Sequence, residues 1–244
     1  MKTIVITGAS AGIGRALALE FAKRGCRLGL LGRRSDALTA LQQEALACGA
    51  AAVTTGQLDV DAAESVGPQL QLFLQALSPV DIFVANAGIN AFTSVGKSEL
   101  AAETRIIQTN VIGAIASIDA AAAYFIEQGH GHIVGVSSLA SMIAVPKQAA
   151  YCASKAAISM YLRAARVELA RHHIRVTDIQ PGFVVTDIMP NIGKYPFAIP
   201  AARAAFEIAE AIEKGRDEAI VPAFPWRLFK PFFRHIPNSF WKRL

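Results

Sequence analysis

Apolar residues along the chain fall into two kinds of stretch. Short, mainly apolar runs occupy 3–7, 27–31, 52–58, 80–85, 132–136, 174–179 and 219–221. Between them lie longer stretches, rich in Ala and Leu, whose apolar positions recur at helical spacing: 13–23, 36–47, 62–77, 98–110, 113–128, 150–171 and 201–214. Ser35 stands where a helix N-cap is expected for the second of these. A strand apolar at every position has both faces buried, whereas a half-exposed strand alternates. Continuous strands in alternation with helices therefore predict an α/β fold, a doubly wound parallel sheet with helices on both faces. No repeat or low-complexity linker interrupts the pattern, so residues 1–222 read as a single domain, and 223–244 as a C-terminal extension.

Polar and special residues gather at the carboxyl ends of the predicted strands, which is where ligands bind in an open parallel sheet. After the first strand comes Thr7-Gly8-Ala9-Ser10-Ala11-Gly12-Ile13-Gly14. Glycines there let the backbone turn tightly, and the free N–H groups and dipole of the following helix attract a phosphate. The spacing is G-x-x-x-G-x-G; read without context, such a segment is also an ordinary turn. The second strand ends Leu31-Gly32-Arg33-Arg34, where an acid would bind the 2′-hydroxyl of NAD. Two guanidinium groups instead suit the 2′-phosphate of NADP; the alternative is a solvated turn. The fourth strand ends Asn86-Ala87-Gly88, the fifth Ser137-Ser138, and the sixth runs into Pro181-Gly182. Asn110 lies inside a predicted helix, where asparagine is a poor helix former. Tyr151 and Lys155 share one face of the long helix at i and i+4. A lysine ammonium beside a phenol stabilises the phenolate and makes the tyrosine a better acid.

Composition and charge narrow the functional classes. Hydrophobic residues make up 53% of the 244 and charged ones 18%, below the usual ~25%; much of the chain is buried. The net charge is +5, yet residues 223–244 alone hold Arg227, Lys230, Arg234, Lys242 and Arg243 with no acid. The body is neutral, which argues against a nucleic-acid binder. Three cysteines without a C-x-x-C motif suggest neither a disulfide framework nor a zinc site, and no metal is expected. The start is a poor signal peptide, no run of 18 apolar residues occurs, and a cytoplasmic protein is expected. The extension also carries Trp226, Phe229, Phe233, Ile236 and Phe240 at helical spacing, broken by Pro231 and Pro237. Two readings fit it: peripheral contact with a membrane surface, or packing over the substrate pocket or a partner subunit.

With T-G-x-x-x-G-x-G, N-A-G, Asn110, S-x12-Y-x-x-x-K and P-G-x-x-x-T in order, the sequence resembles the short-chain dehydrogenase/reductase family from Thr3 to about Val221. The resemblance implies a Rossmann-like fold and an oxidoreductase that moves a hydride between NADP(H) and a carbonyl or alcohol, with NAD the poorer cofactor. It implies that Gly8, Ser10, Ile13 and Gly14 wrap the pyrophosphate, and that Asp59 and Val60 hold the adenine. Asn86, Ala87 and Gly88 would line the cofactor, and Pro181, Gly182, Val184 and Thr186 would fix its nicotinamide end. Ser138 and Tyr151 would polarise the substrate oxygen, Lys155 would also bond the nicotinamide ribose, and Asn110 would hold a water linking Lys155 to solvent. It further implies a homodimer or homotetramer built on 98–128 and 150–171. A lipophilic carbonyl and a carrier-bound 3-oxoacyl thioester are both open as substrates. A non-catalytic dinucleotide sensor is the alternative of another class, which the presence of both Tyr151 and Lys155 disfavours.

Overall fold

The computed structural model describes residues 1–97, 99–186, 195 and 197–235. Seven strands form one parallel sheet: β1 (Thr3–Thr7), β2 (Arg27–Gly32), β3 (Ala52–Gln57), β4 (Ile82–Ala85), β5 (Gly131–Val136), β6 (Ile174–Pro181) and β9 (Glu218–Val221). Their order is β3-β2-β1-β4-β5-β6-β9. Two two-residue strands, β7 (Val184–Val185) and β8 (Ile199–Pro200), pair separately. The chain winds outward from β1 to β3, then returns to place β4 on the other side of β1. That reversal opens a crevice beyond the carboxyl ends of β1 and β4.

Helices α1 (Gly12–Lys23), α2 (Ser35–Ala47) and α7 (Ala201–Glu213) cover one face, where Leu17, Phe21, Leu41 and Ile208 pack on Ile4, Ile6, Leu28 and Leu30. Helices α3 (Ala63–Leu77), α5 (Ala114–Gln128) and α6 (Ala149–Leu169) cover the other, with Leu70, Leu74, Phe125 and Leu162 on Val5, Phe83 and Ile133. Successive strand residues point to opposite faces, so Ile4 and Ile6 serve one layer and Val5 the other. This is why the central strands carry apolar residues on both faces.

Three expectations change. Ser35 is the first residue of α2, not its cap; Arg34 holds the cap position in extended conformation, and no side chain caps the helix. The fourth strand begins at Ile82, two residues late, because Val80 N–H is drawn to Tyr124 Oη and Gln128 Oε1 (both 3.3 Å) of α5. The helices expected at 98–110 and 113–128 are one continuous run: α4 (Leu100–Ile107), a π-helical segment Gln108–Gly113, and α5. This run of 29 residues has a mean hydropathy of 1.4 in its most apolar window, long and apolar enough to cross a bilayer, yet 56% of that window is buried.

Beyond β9 come the single turn α8 (Trp226–Phe229) and a 3-10 segment, Lys230–His235. The helix gives way to the tighter segment beside Pro231, as expected, while Pro237 lies outside the described residues; the single stripe is not kept. Trp226 and Phe233 are buried while Phe229 is 45% exposed. One α turn followed by a tighter helix with three residues per turn cannot keep a 3.6-residue stripe. Ile236 and Phe240 lie outside the described residues.

Candidate active site

At the crevice, the ends of β1 and β4 are clasped by side chains. Thr7 Oγ1 accepts from Asn86 N (3.1 Å) and Ala87 N (3.2 Å) and donates to Val84 O (3.3 Å). Asn86 Nδ2 donates to Thr7 O (3.0 Å) and Gly8 O (3.2 Å). The loop between β1 and α1 turns through positive φ at Gly8 (+64°) and Gly12 (+55°). A Cβ on Gly8 would lie 2.7 Å from Ala87 Cα, and one on Gly14 would strike Asn86 Nδ2 and stand 2.5 Å from Gly8 O. The glycines thus bring α1 hard against the strand ends. No side chain caps α1 and its first turn carries no acid, so its leading N–H groups remain for an anion. A pyrophosphate fits this cradle.

One cleft of about 350 Å³ runs from this loop across the sheet edge. Its outer part is lined by Gly8, Ser10, Ile13, Arg33, Arg34 and Val60; its inner part by Asn86, Ala87, Gly88, Ser138, Tyr151 and Lys155. Pro181, Gly182, Val184 and Thr186 line it too. Of the residues expected here, Gly14 and Asn110 stand one layer behind the wall. Asp59 is exposed; its Oδ1 accepts from Asp61 N (3.1 Å) and lies 3.9 Å from Arg33.

Arg34 donates to Ser10 O (3.1 Å) and Ser10 Oγ (3.3 Å), so it closes over the glycine loop. Arg33 pairs with Asp61 (3.2 Å). Asp61 was not among the expected site residues. It also accepts from Thr109 Oγ1 on one carboxylate oxygen, and its carbonyl accepts from Gln108 Nε2 (2.9 Å). It therefore ties the arginine corner to the π segment.

Inside that segment Asn110 is 1% exposed. Its Oδ1 accepts from Ile89 N (2.8 Å), while Nδ2 donates to Ile89 O (2.9 Å) and Ser154 Oγ (3.0 Å). One amide thus fixes the loop after Gly88 and the second turn of α6 together. The extra residue of a π turn is what aims it there, as such turns often do at functional sites.

Ser138 ends β5 as the cap of a 3-10 turn, accepting from Ala140 N (3.1 Å) and donating to Pro181 O (3.3 Å). Tyr151 sits in the first turn of α6. Burial raises its phenol above the ordinary value, and the nearby Ser138 hydroxyl offsets only part of that rise. Lys155 is buried, donates to Val136 O (2.9 Å) and stands 5.8 Å from the centre of the Tyr151 ring. Burial pushes its ammonium down to about 8, against the opposing field of Asp178.

Asp178, also not among the expected residues, is fully buried in β6. Its carboxylate accepts from Ser137 Oγ just after β5, from Ser159 Oγ of α6 (2.7 Å) and from Gln180 Nε2 (2.8 Å). An acid inside an apolar strand was the visible signal, since a buried charge requires partners. Beyond Ser138, Leu139 and Ile143 pack with Ile220, Trp226 and Phe233, with Phe183 against them. Gly182 lies against this cluster: a Cβ there would be 3.0 Å from both Leu139 Cδ1 and Trp226 Nε1.

Comparison with known proteins agrees with this architecture. A family model described as short chain dehydrogenase matches residues 2–195. An uncharacterized oxidoreductase of Myxococcus xanthus is 38% identical over 232 residues, 94% of this chain and 90% of that protein. A short-chain type dehydrogenase/reductase from Mycobacterium marinum superposes with a TM-score of 0.82 at 29% identity, covering 90% of this chain and 93% of the other. An alcohol dehydrogenase from the archaeon Thermococcus sibiricus, complexed with 5-hydroxy-NADP, gives 0.80 at 28% identity, covering 90% and 95%. The family match over most of the chain and the extent of these similarities place the protein among the oxidoreductases of the short-chain dehydrogenase family.

Proposed function

We propose that the protein transfers a hydride between NADP(H) and the carbon of a lipophilic carbonyl or alcohol, with Tyr151 moving the proton. The observation that carries this reading is a single cleft. Its outer part has the glycine cradle and two arginines; its inner part has a phenol, a buried ammonium and a strand-end hydroxyl.

NADP(H), when bound, supplies or takes up the hydride. Everything else falls to the chain. Gly8, Ser10, Ile13 and the leading N–H groups of α1 hold the pyrophosphate, with Gly14 allowing the close approach. Val60 and Asp59 border the adenine, and Asn86, Ala87 and Gly88 line the cofactor. Pro181, Gly182, Val184 and Thr186 bound the nicotinamide end. In the reducing direction Ser138 Oγ and Tyr151 Oη donate to the carbonyl oxygen. As the carbon gains hydride, the oxygen takes the Tyr151 proton, leaving a phenolate that the Lys155 ammonium stabilises. Asn110 fixes the Ile89 loop and α6, so that Tyr151 and Lys155 keep their places. The apolar cluster of Leu139, Ile143 and Trp226 packs behind Gly182, which lines the cleft, and this apolar end of the site supports a lipophilic substrate. The reading is tested by following NADPH oxidation with a panel of lipophilic ketones, aldehydes and 3-oxoacyl thioesters, in both directions. Tight NADPH binding with no turnover on any of them would leave a dinucleotide sensor in its place.

Cofactor choice gives a sharper expectation. A charge-assisted hydrogen bond contributes about 1.5–3 kcal/mol, but Arg33 must be shared with or released from Asp61 to reach a 2′-phosphate. The preference for NADPH over NADH should therefore be modest, about ten- to thirtyfold in Kd by fluorescence titration. Arg33→Ala with Arg34→Ala should erase it, and Asp61→Asn should widen it. Equal affinity of the unmodified protein for both cofactors contradicts the assignment.

The ammonium at Lys155 sets a pH limit. It is charged below about 8 and loses its proton as the pH rises through that value. The phenolate then loses its stabilising charge, so kcat for carbonyl reduction should fall above about pH 8. Lys155→Met should lower the plateau and flatten that limb. A plateau that runs on to the titration of free lysine would show that Lys155 does not govern proton transfer.

A further inference from the structure

The segment after β9 presents two faces of opposite character. Trp226 and Phe233 turn inward to Leu139, Ile143 and Ile220. Phe224, Leu228 and Phe229 are left 72%, 64% and 45% exposed. One more exposed aromatic adjoins the segment: Phe197 meets Trp226 edge-on at 5.6 Å. A run of large apolar side chains in water on a protein of this size marks a contact surface.

Basic residues flank this patch, and one of them is left unpaired among the described residues. Arg203, Arg227 and Lys230 stand on the segment and on the neighbouring α7. The nearby acids are already engaged: Glu207 with Arg203 (3.1 Å), and Glu218 with Lys230 (2.7 Å) and Arg163 (3.8 Å). Among the described residues Arg227 has no acidic partner, and residues 223–244 contain five cations and no acid. The nine residues beyond His235 add Ile236, Phe240, Trp241, Lys242 and Arg243 in sequence. A second copy seated on the same patch would set Arg227 against its own image, a like-charge contact that opposes association. The complementary partner is apolar beneath and anionic above.

We propose that this face docks on an anionic lipid surface, with Phe224, Leu228 and Phe229 in the headgroup–acyl boundary and Arg227 among the lipid phosphates. Because Trp226 lies on the other side of the same short segment, docking sets the apolar cluster behind Gly182 next to the bilayer. The inference does not depend on the reaction, and its test reads binding alone.

The full chain is co-sedimented with vesicles of pure phosphatidylcholine and of phosphatidylcholine mixed with phosphatidylglycerol. The expected result is binding to the mixed vesicles, weaker binding to the neutral ones, and loss of binding as salt screens the surface charge. Arg227→Glu, a single exposed change, should weaken partition about tenfold or more. The combined Phe224→Ser, Leu228→Ser and Phe229→Ser variant should weaken it by at least about tenfold as well. The proposal is overturned if the intact chain ignores anionic vesicles at low salt, if it binds both vesicle types equally, or if Arg227→Glu binds as the parent does. Light scattering in which the triple variant breaks an oligomer would overturn it too, by naming a second copy as the occupant.

Discussion

Tyr151→Phe should lower turnover between about a hundredfold and ten-thousandfold on any substrate the protein reduces, while NADPH affinity stays close to that of the parent. The substitution removes one hydroxyl and nothing that holds the site. Lys155 keeps its bond to Val136 O, Asn110 keeps Ile89 and Ser154, and Ser154 Oγ donates to the Tyr151 carbonyl, which phenylalanine retains. The substrate oxygen would still meet Ser138, but a serine hydroxyl is too weak an acid to give up its proton in the step. Hydride transfer would then wait on water. Single-turnover measurements separate this from slow product release, since the loss must appear in the first turnover. A variant that turns over near the parental rate would remove Tyr151 from the chemistry, whatever its place in the cleft.

Gly14→Ala should weaken NADPH binding by about two decades and destabilise the fold, from one methyl group. The added Cβ would strike Asn86 Nδ2 and come within 2.5 Å of Gly8 O. Neither neighbour can give way cheaply. Asn86 Nδ2 is held by Thr7 O and Gly8 O, and Gly8 O is backbone in a left-handed turn. The first turn of α1 must therefore back away from the strand ends. Overpacking of this kind costs about 1–3 kcal/mol in stability, and the displaced N–H groups no longer converge on one phosphate. Circular dichroism should show the fold retained with a lower Tm, and titration should show the weakened nucleotide binding. Parental NADPH affinity in Gly14→Ala would mean that the cradle does not bind the pyrophosphate.

Much of this arrangement could be read from the chain. The sheet was legible because β1, β2, β4 and β5 are mainly apolar on both faces. The cleft was legible because its glycines, Ser138 and Asn86 fall at strand ends. What escaped did so for physical reasons. A π turn has nearly the same periodicity as the α-helix around it, so the segment at Asn110 reads as a helix with an odd residue and a small break after it. Ser35 looks like a cap, but Arg34 leaves β2 extended and its guanidinium reaches back to Ser10. The pair β7 and β8 is too short to carry a period. In the tail, composition shows many aromatics but not which of them turn inward; Trp226 and Phe229 are told apart only by what packs on them. The carboxylate of Asp178 lay in plain view within an apolar run. Its meaning depends on donors from three elements that only the folded chain brings together.

That carboxylate bears on how the molecule opens. Ser137 just after β5, Gln180 on β6 and Ser159 on α6 each give it a hydrogen bond. Pulling any one of these elements away strands part of a charge in an apolar interior, which costs several kcal/mol. Local fraying of β5, β6 or the middle of α6 is thereby suppressed, and the three come apart as one cooperative unit. Ser138, Tyr151 and Lys155 all ride on that unit. Amide exchange in these elements should therefore be slower than in the rest of the chain, and the three reacting groups should keep their spacing through local opening elsewhere.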